Sequence, residues 1–129
     1  RSYPPGESDV SGVVASIACP IQGGSFDQPI WFRQFADAAS MDGYMAMRAN
    51  QITTAQGSCA SGQESDTSWR TDGTPRGRLV CLYEPSSGVN FYKIAWASDA
   101  TDVVAIIKNA QPATVWNWWQ EYCSQFGSG

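Results

Sequence analysis

Three β-rich runs and a tryptophan-rich helical pattern follow one another between Arg76 and Tyr122, and that order leaves few folds open. Leu79 to Glu84 and Val89 to Ala97 flank Pro85-Ser86-Ser87-Gly88, where proline sets a turn and glycine supplies a positive φ, so the pair reads as a hairpin. Val103 to Ile107 is a third run, rich in β-branched residues. After Pro112, which suits the first position of a helix, the period changes: Val115, Trp118, Trp119, Tyr122 and Phe126 share one apolar stripe, flanked by Trp116. The stretch predicts strand, strand, strand, helix, with the indoles holding the helix on the sheet.

The earlier half repeats this plan more loosely. Val10 to Cys19 alternates as a strand and Pro20 closes it. Residues 21–29 are rich in turn formers, and Ile30 to Phe35 reads as a second strand, which predicts another hairpin. Asp37 stands where an N-cap belongs, ahead of a helix over Ala38 to Gln51 whose Met41, Tyr44, Met45, Arg48 and Ile52 fall on one face. Thr53 to Gly77 has almost no apolar residue except Trp69 and reads as a long polar loop. The expected architecture is α+β: an antiparallel sheet of about five strands with two helices packed on one face, stapled by disulfides. A length of 129 residues fits one domain, here 10–126, after a Pro/Gly/Ser-rich linker at 1–9 and before a tail at 127–129.

Four cysteines, Cys19, Cys59, Cys81 and Cys123, lie far apart with no CxxC pair, and the chain has no histidine. A zinc site normally needs paired short spacings, so disulfides fit better, and they imply an oxidising, extracytoplasmic compartment. The favoured pairing joins Cys59 to Cys81, tethering the polar loop to the central hairpin at a gain of about 3 kcal/mol, and Cys19 to Cys123. A Cys19 to Cys59 bridge is the alternative. No metal or other cofactor is expected. A net charge of −4 argues against a nucleic-acid partner, and Arg70, Arg76 and Arg78 read as a solvated edge. No apolar run is long enough to span a membrane.

Without histidine, Ser-His-Asp and Cys-His catalysis are excluded. Paired carboxylates are what remains for a small secreted hydrolase: Asp99 with Asp102, or Glu64 with Asp66, although both pairs sit where turns or solvated loops favour acids. Six tryptophans raise a different question, whether all are buried. Trp69 stands alone in its polar loop beside Arg70, and these two are the candidate ligand-binding residues. An exposed Trp69 fits a carbohydrate-binding module; a Trp69 folded under its loop is a core plug.

Several short motifs stand in order along the chain: Ile17-Ala18-Cys19-Pro20, Trp31-Phe32-Arg33-Gln34-Phe35-Ala36-Asp37, Gly57-Ser58-Cys59, Ser68-Trp69-Arg70, Gly77-Arg78-Leu79-Val80-Cys81-Leu82-Tyr83, Ile94-Ala95-Trp96-Ala97-Ser98-Asp99 and Trp118-Trp119. Together they resemble an extracytoplasmic, sensor-like C-terminal domain of bacterial membrane-anchored Ser/Thr protein kinases and of related exported lipoproteins. Its cysteines match Cys19, Cys59 and Cys81, whereas Cys123 is an addition here. The resemblance implies a non-catalytic ectodomain, since nothing in the chain looks like a kinase phosphate loop, HRD or DFG segment. It further implies an envelope ligand or protein as partner, tethering to a membrane through the N-terminal linker, and binding or homodimerisation passed on to a kinase.

Overall fold

A computed structural model describes residues 13–19, 29–71 and 73–127, apart from the side chains of residues 17, 18, 71 and 121–127. The expected linker, the start of the first strand at Val10, its closure at Pro20 and nearly all of the 21–29 connection lie outside the described residues. The elements run β1 (Val13–Cys19), β2 (Ile30–Phe35), α1 (Ala38–Ala49), a 3₁₀ turn (Cys59–Ser61), β3 (Ser65–Thr71), β4 (Thr74–Ser86), β5 (Val89–Ser98), β6 (Val103–Asn109) and α2 (Pro112–Gly127). The fold is α+β. Its six strands form one antiparallel sheet in the order β1-β2-β6-β5-β4-β3.

That order follows from one long excursion. After the β1–β2 hairpin the chain crosses the sheet as α1, starts again at the far edge as β3, and returns strand by strand until β6 lies against β2. The β4–β5 turn is tighter than the sequence predicts. Pro85 lies within β4, opposite Asn90, and only Ser87 (φ 52°) and Gly88 (φ 83°) turn the chain, both in the left-handed region. This is the two-residue geometry whose twist matches that of the flanking strands.

Two expectations need correction. The sheet has six strands because Ser65–Thr71, placed in a polar loop by the sequence, is β3, paired with β4 from Ser65↔Cys81 to Thr71↔Thr74. The helices also lie on opposite faces. Strand side chains alternate, and Tyr92, Ile94 and Trp96 pack with Val115 and Trp119 of α2, whereas Ala95 and Ala97 pack with Met41, Tyr44 and Met45 of α1. An apolar stripe on each helix cannot say which face it will cover. Because both faces are covered, β5 and β6 are buried along most of their length and read as nearly continuous apolar runs.

Asp37 caps α1 as expected, its carboxylate accepting the Ser40 amide at 2.8 Å. The α1 face also buries charge. Arg48, 2% exposed, donates to Tyr44 Oη (2.9 Å), Gln51 Oε1 (3.1 Å) and Glu84 (3.3 Å), and the buried Lys93 ammonium reaches the other Glu84 oxygen at 2.7 Å. Lys108 lies over the Trp31 and Phe91 rings at 5.5 and 4.8 Å.

Candidate functional site

On the α2 face, two neighbouring rungs of the sheet leave a cavity of about 340 Å³. Register explains it. One rung aligns Phe32 of β2, Ala105 of β6 and Trp96 of β5; the next aligns Gln34, Val103 and Ser98. In the first rung the middle strand offers the small Ala105 between Phe32 and Trp96, so the sheet dips there. Thr101, in the turn between β5 and β6, completes the lining.

The two rungs differ chemically. Trp96 is buried and has Trp118 of α2 beside it, the ring centroids 6.4 Å apart, so the first rung is aromatic. The second is polar and uncharged. Gln34 is held in place: its amide nitrogen donates to the carbonyls of Thr101 (2.9 Å) and Phe35 (3.1 Å). With the nitrogen engaged, the acceptor oxygen is the part of that amide left to meet a ligand. The turn beneath is fixed as well, the amides of Thr101 and Asp102 donating to Ser98 O and the Phe35 amide to Asp102 O. Asp102 carries a positive φ of 56°. Asp99, at the same turn, has its carboxyl pushed above the usual carboxylate range, first by burial and then by the charges of Asp42 and Asp102.

The two residues singled out in the sequence lie elsewhere. Trp69 is 2% exposed, sits on β3, donates its indole N–H to Ala97 O at 2.7 Å and meets Trp119 edge-on at 6.4 Å. It is the plug, not a surface platform, so a sugar-binding surface built on an exposed Trp69 is not available. Arg70 is exposed and donates to the Gly73 carbonyl across the adjacent turn, which keeps it away from the cavity. Trp69 belongs to a tryptophan cluster: Trp119 stacks on Trp116 at 5.2 Å and stands edge-on to Trp96 at 6.3 Å. The buried Trp119 Nε1 has no hydrogen-bond partner among the described residues.

Asp99 and Asp102 stay close in one turn, the charge of Asp102 helping to raise the Asp99 carboxyl, whereas Glu64 and Asp66 are each bound to partners of their own. Asp66 forms a two-point bridge with Arg78, both bonds 2.8 Å long, which holds the guanidinium above its usual basicity. Glu64 is 1% exposed. Burial raises its pKa, but the amides of Tyr83, Thr54 and Thr53 and the Thr54 hydroxyl all donate to it and bring it below the ordinary value. Both carboxylates are committed to structure.

What the loop before β3 does is close the α2 face. Cys59 is bonded to Cys81, with Cα atoms 5.9 Å apart. Tyr92 Oη donates to Gln63 O at 2.7 Å, with Cys59 O a second, longer acceptor of the same proton at 3.2 Å, and Tyr83 Oη donates to Gly62 O at 2.7 Å. Burial raises the Tyr92 hydroxyl's pKa, so it stays a donor. Cys19, the proposed partner of Cys123, carries a free thiol and packs at the margin of the α2-face core; the Cys123 side chain is outside the described residues. A Cys19 to Cys59 bridge is excluded, since Cys59 is bonded to Cys81.

Among the described residues no group of three or more Cys, Asp or Glu side chains is placed to hold a metal ion, and no helix is long and apolar enough to cross a membrane. Compared with protein-family models, with curated proteins and with solved structures, the chain matches none.

Proposed function

We propose that this chain is a non-catalytic extracytoplasmic domain that binds a small envelope molecule in the groove between β2, β6 and β5, and that it serves as the sensor domain of a bacterial Ser/Thr protein kinase. The observation that carries the binding reading is the groove: a preorganised recess with an aromatic rung, a polar rung and a pinned turn, which is how small-molecule sites are built. The Cys59–Cys81 bridge supports an oxidising compartment. The kinase context is supported by the ordered motifs of the sequence. Signalling from the groove would follow the chain outward through β1 to the N-terminal linker, because β1 pairs with the groove strand β2.

The test is amide chemical-shift mapping of the oxidised domain against the small-molecule fraction of a digested bacterial envelope. Shifts centred on Gln34, Ser98 and Thr101 are expected. If no amide of the groove moves, the binding reading is wrong.

A further inference from the structure

We infer that the groove takes a single neutral sugar ring, lying with one C–H face against the half-buried Phe32 ring and its hydroxyls along the polar rung. This rests on the groove being a binding site, and it deepens that reading by naming the ligand's chemistry.

Size comes first. A volume of about 340 Å³ is at the small end for ligand pockets and suits one ring, not a peptide or an oligomer. The two rungs lie two residues apart along the strands, about 6.8 Å at the usual antiparallel rise, so one ring spans them. Shape follows from the middle strand. Ala105 lies low between Phe32 and Trp96, while in the next rung Gln34 rises on one side of Val103 and the smaller Ser98 leaves the other side low.

Chemistry then narrows the class. Among the described residues no charged side chain lines the recess, so an ionic ligand would lose hydration there with no described partner to replace it. Asp99 and Asp102 flank Thr101 in the turn, which adds repulsion against an anion. A purely apolar ligand is disfavoured from the other side, because it would cover Ser98, Thr101 and the Gln34 oxygen without satisfying them. Hydroxyls donate and accept, and so do these partners: two hydroxyl side chains and one amide whose orientation is already set by two backbone carbonyls. A sugar ring carries both halves, a C–H face for Phe32 and a rim of hydroxyls for the polar rung.

The experiment is shift mapping of the intact oxidised domain with glucose and N-acetylglucosamine, using glucuronate and cyclohexanol as ring-sized controls. A neutral sugar is expected to move the amides of Gln34, Ser98 and Thr101, to bind about tenfold more weakly to Ser98→Ala, and to lose binding in Val103→Phe, which fills the recess. Each variant is first checked for an unchanged thermal midpoint, and if Val103→Phe fails to fold, Thr101→Val takes its place with a similar weakening expected. Glucuronate or cyclohexanol binding as well as the neutral sugars overturns the assignment. If the sugars leave the groove unmoved while the envelope fraction moves it, the sugar class is wrong and the binding site stands. If neither moves it, both readings fall.

Discussion

Glu64 shows how a polar sequence becomes a fixed structure. In the sequence it is one acid among glycines and serines, and nothing in its neighbourhood announces burial. In the fold it gathers four donors from two segments, the turn after α1 and strand β4. The folded pKa is lowered, so the carboxylate's contribution is complete above the ordinary value of 4.5 and is lost as pH falls through the lower folded value. Glu64→Gln should cost about 2 kcal/mol at neutral pH, because buried donors lose a charged acceptor. Urea midpoints of the two proteins, well separated at neutral pH, should converge as the pH falls below the ordinary value of 4.5; a gap that stays constant would contradict the assignment.

At the scale of elements, the sequence was most legible where apolar residues set a period. The α1 face of Met41, Tyr44, Met45 and Arg48 behind the Asp37 cap follows from spacing, because burial on one side of a helix leaves a repeat, and β5 and β6 follow from unbroken β-rich runs. Strand β3 leaves almost none. Of SDTSWRT only Trp69 is apolar, since an edge strand keeps one side open to water, and the strand is held by pairing and by the Asp66–Arg78 bridge. The Asp72-Gly73 dipeptide was the available hairpin signal.

The groove was illegible for a related reason. Phe32 and Gln34 lie some 70 residues from Val103 and Ala105, and only the β2–β6 pairing makes them neighbours. Gly77 belongs to this scale too: a Cβ there would overlap the Ala97 carbonyl and crowd the Trp69 ring nitrogen. Gly77→Ala should therefore destabilise by about 3 kcal/mol, by forcing backbone apart. Gly73→Ala, in open space at φ 77°, should cost only about 1 kcal/mol of backbone strain. Equal losses in thermal unfolding would refute the packing account.

For the whole molecule, a cysteine count pointed to a staple and the structure places it between a loop and the central sheet, while strand order and the division of the helices between two faces depended on long-range pairing that no local pattern records. The excursion that carries the chain from β2 to the far edge and back has a kinetic consequence. Strands β3 to β6 are successive neighbours, so each closes a short loop, whereas β2 can pair with β6 only after the whole meander is in place. The meander should behave as the more robust cooperative unit, with the β1–β2 hairpin joining last and opening first. Native-state hydrogen exchange would then find β4 and β5 amides exchanging only through global unfolding and β1 and β2 amides through a smaller opening, and uniform exchange across all six strands would rule this out. Since the groove is shared between β2 and the meander, such an opening would dismantle it while leaving most of the fold intact, and a ligand held there would close the last seam to form.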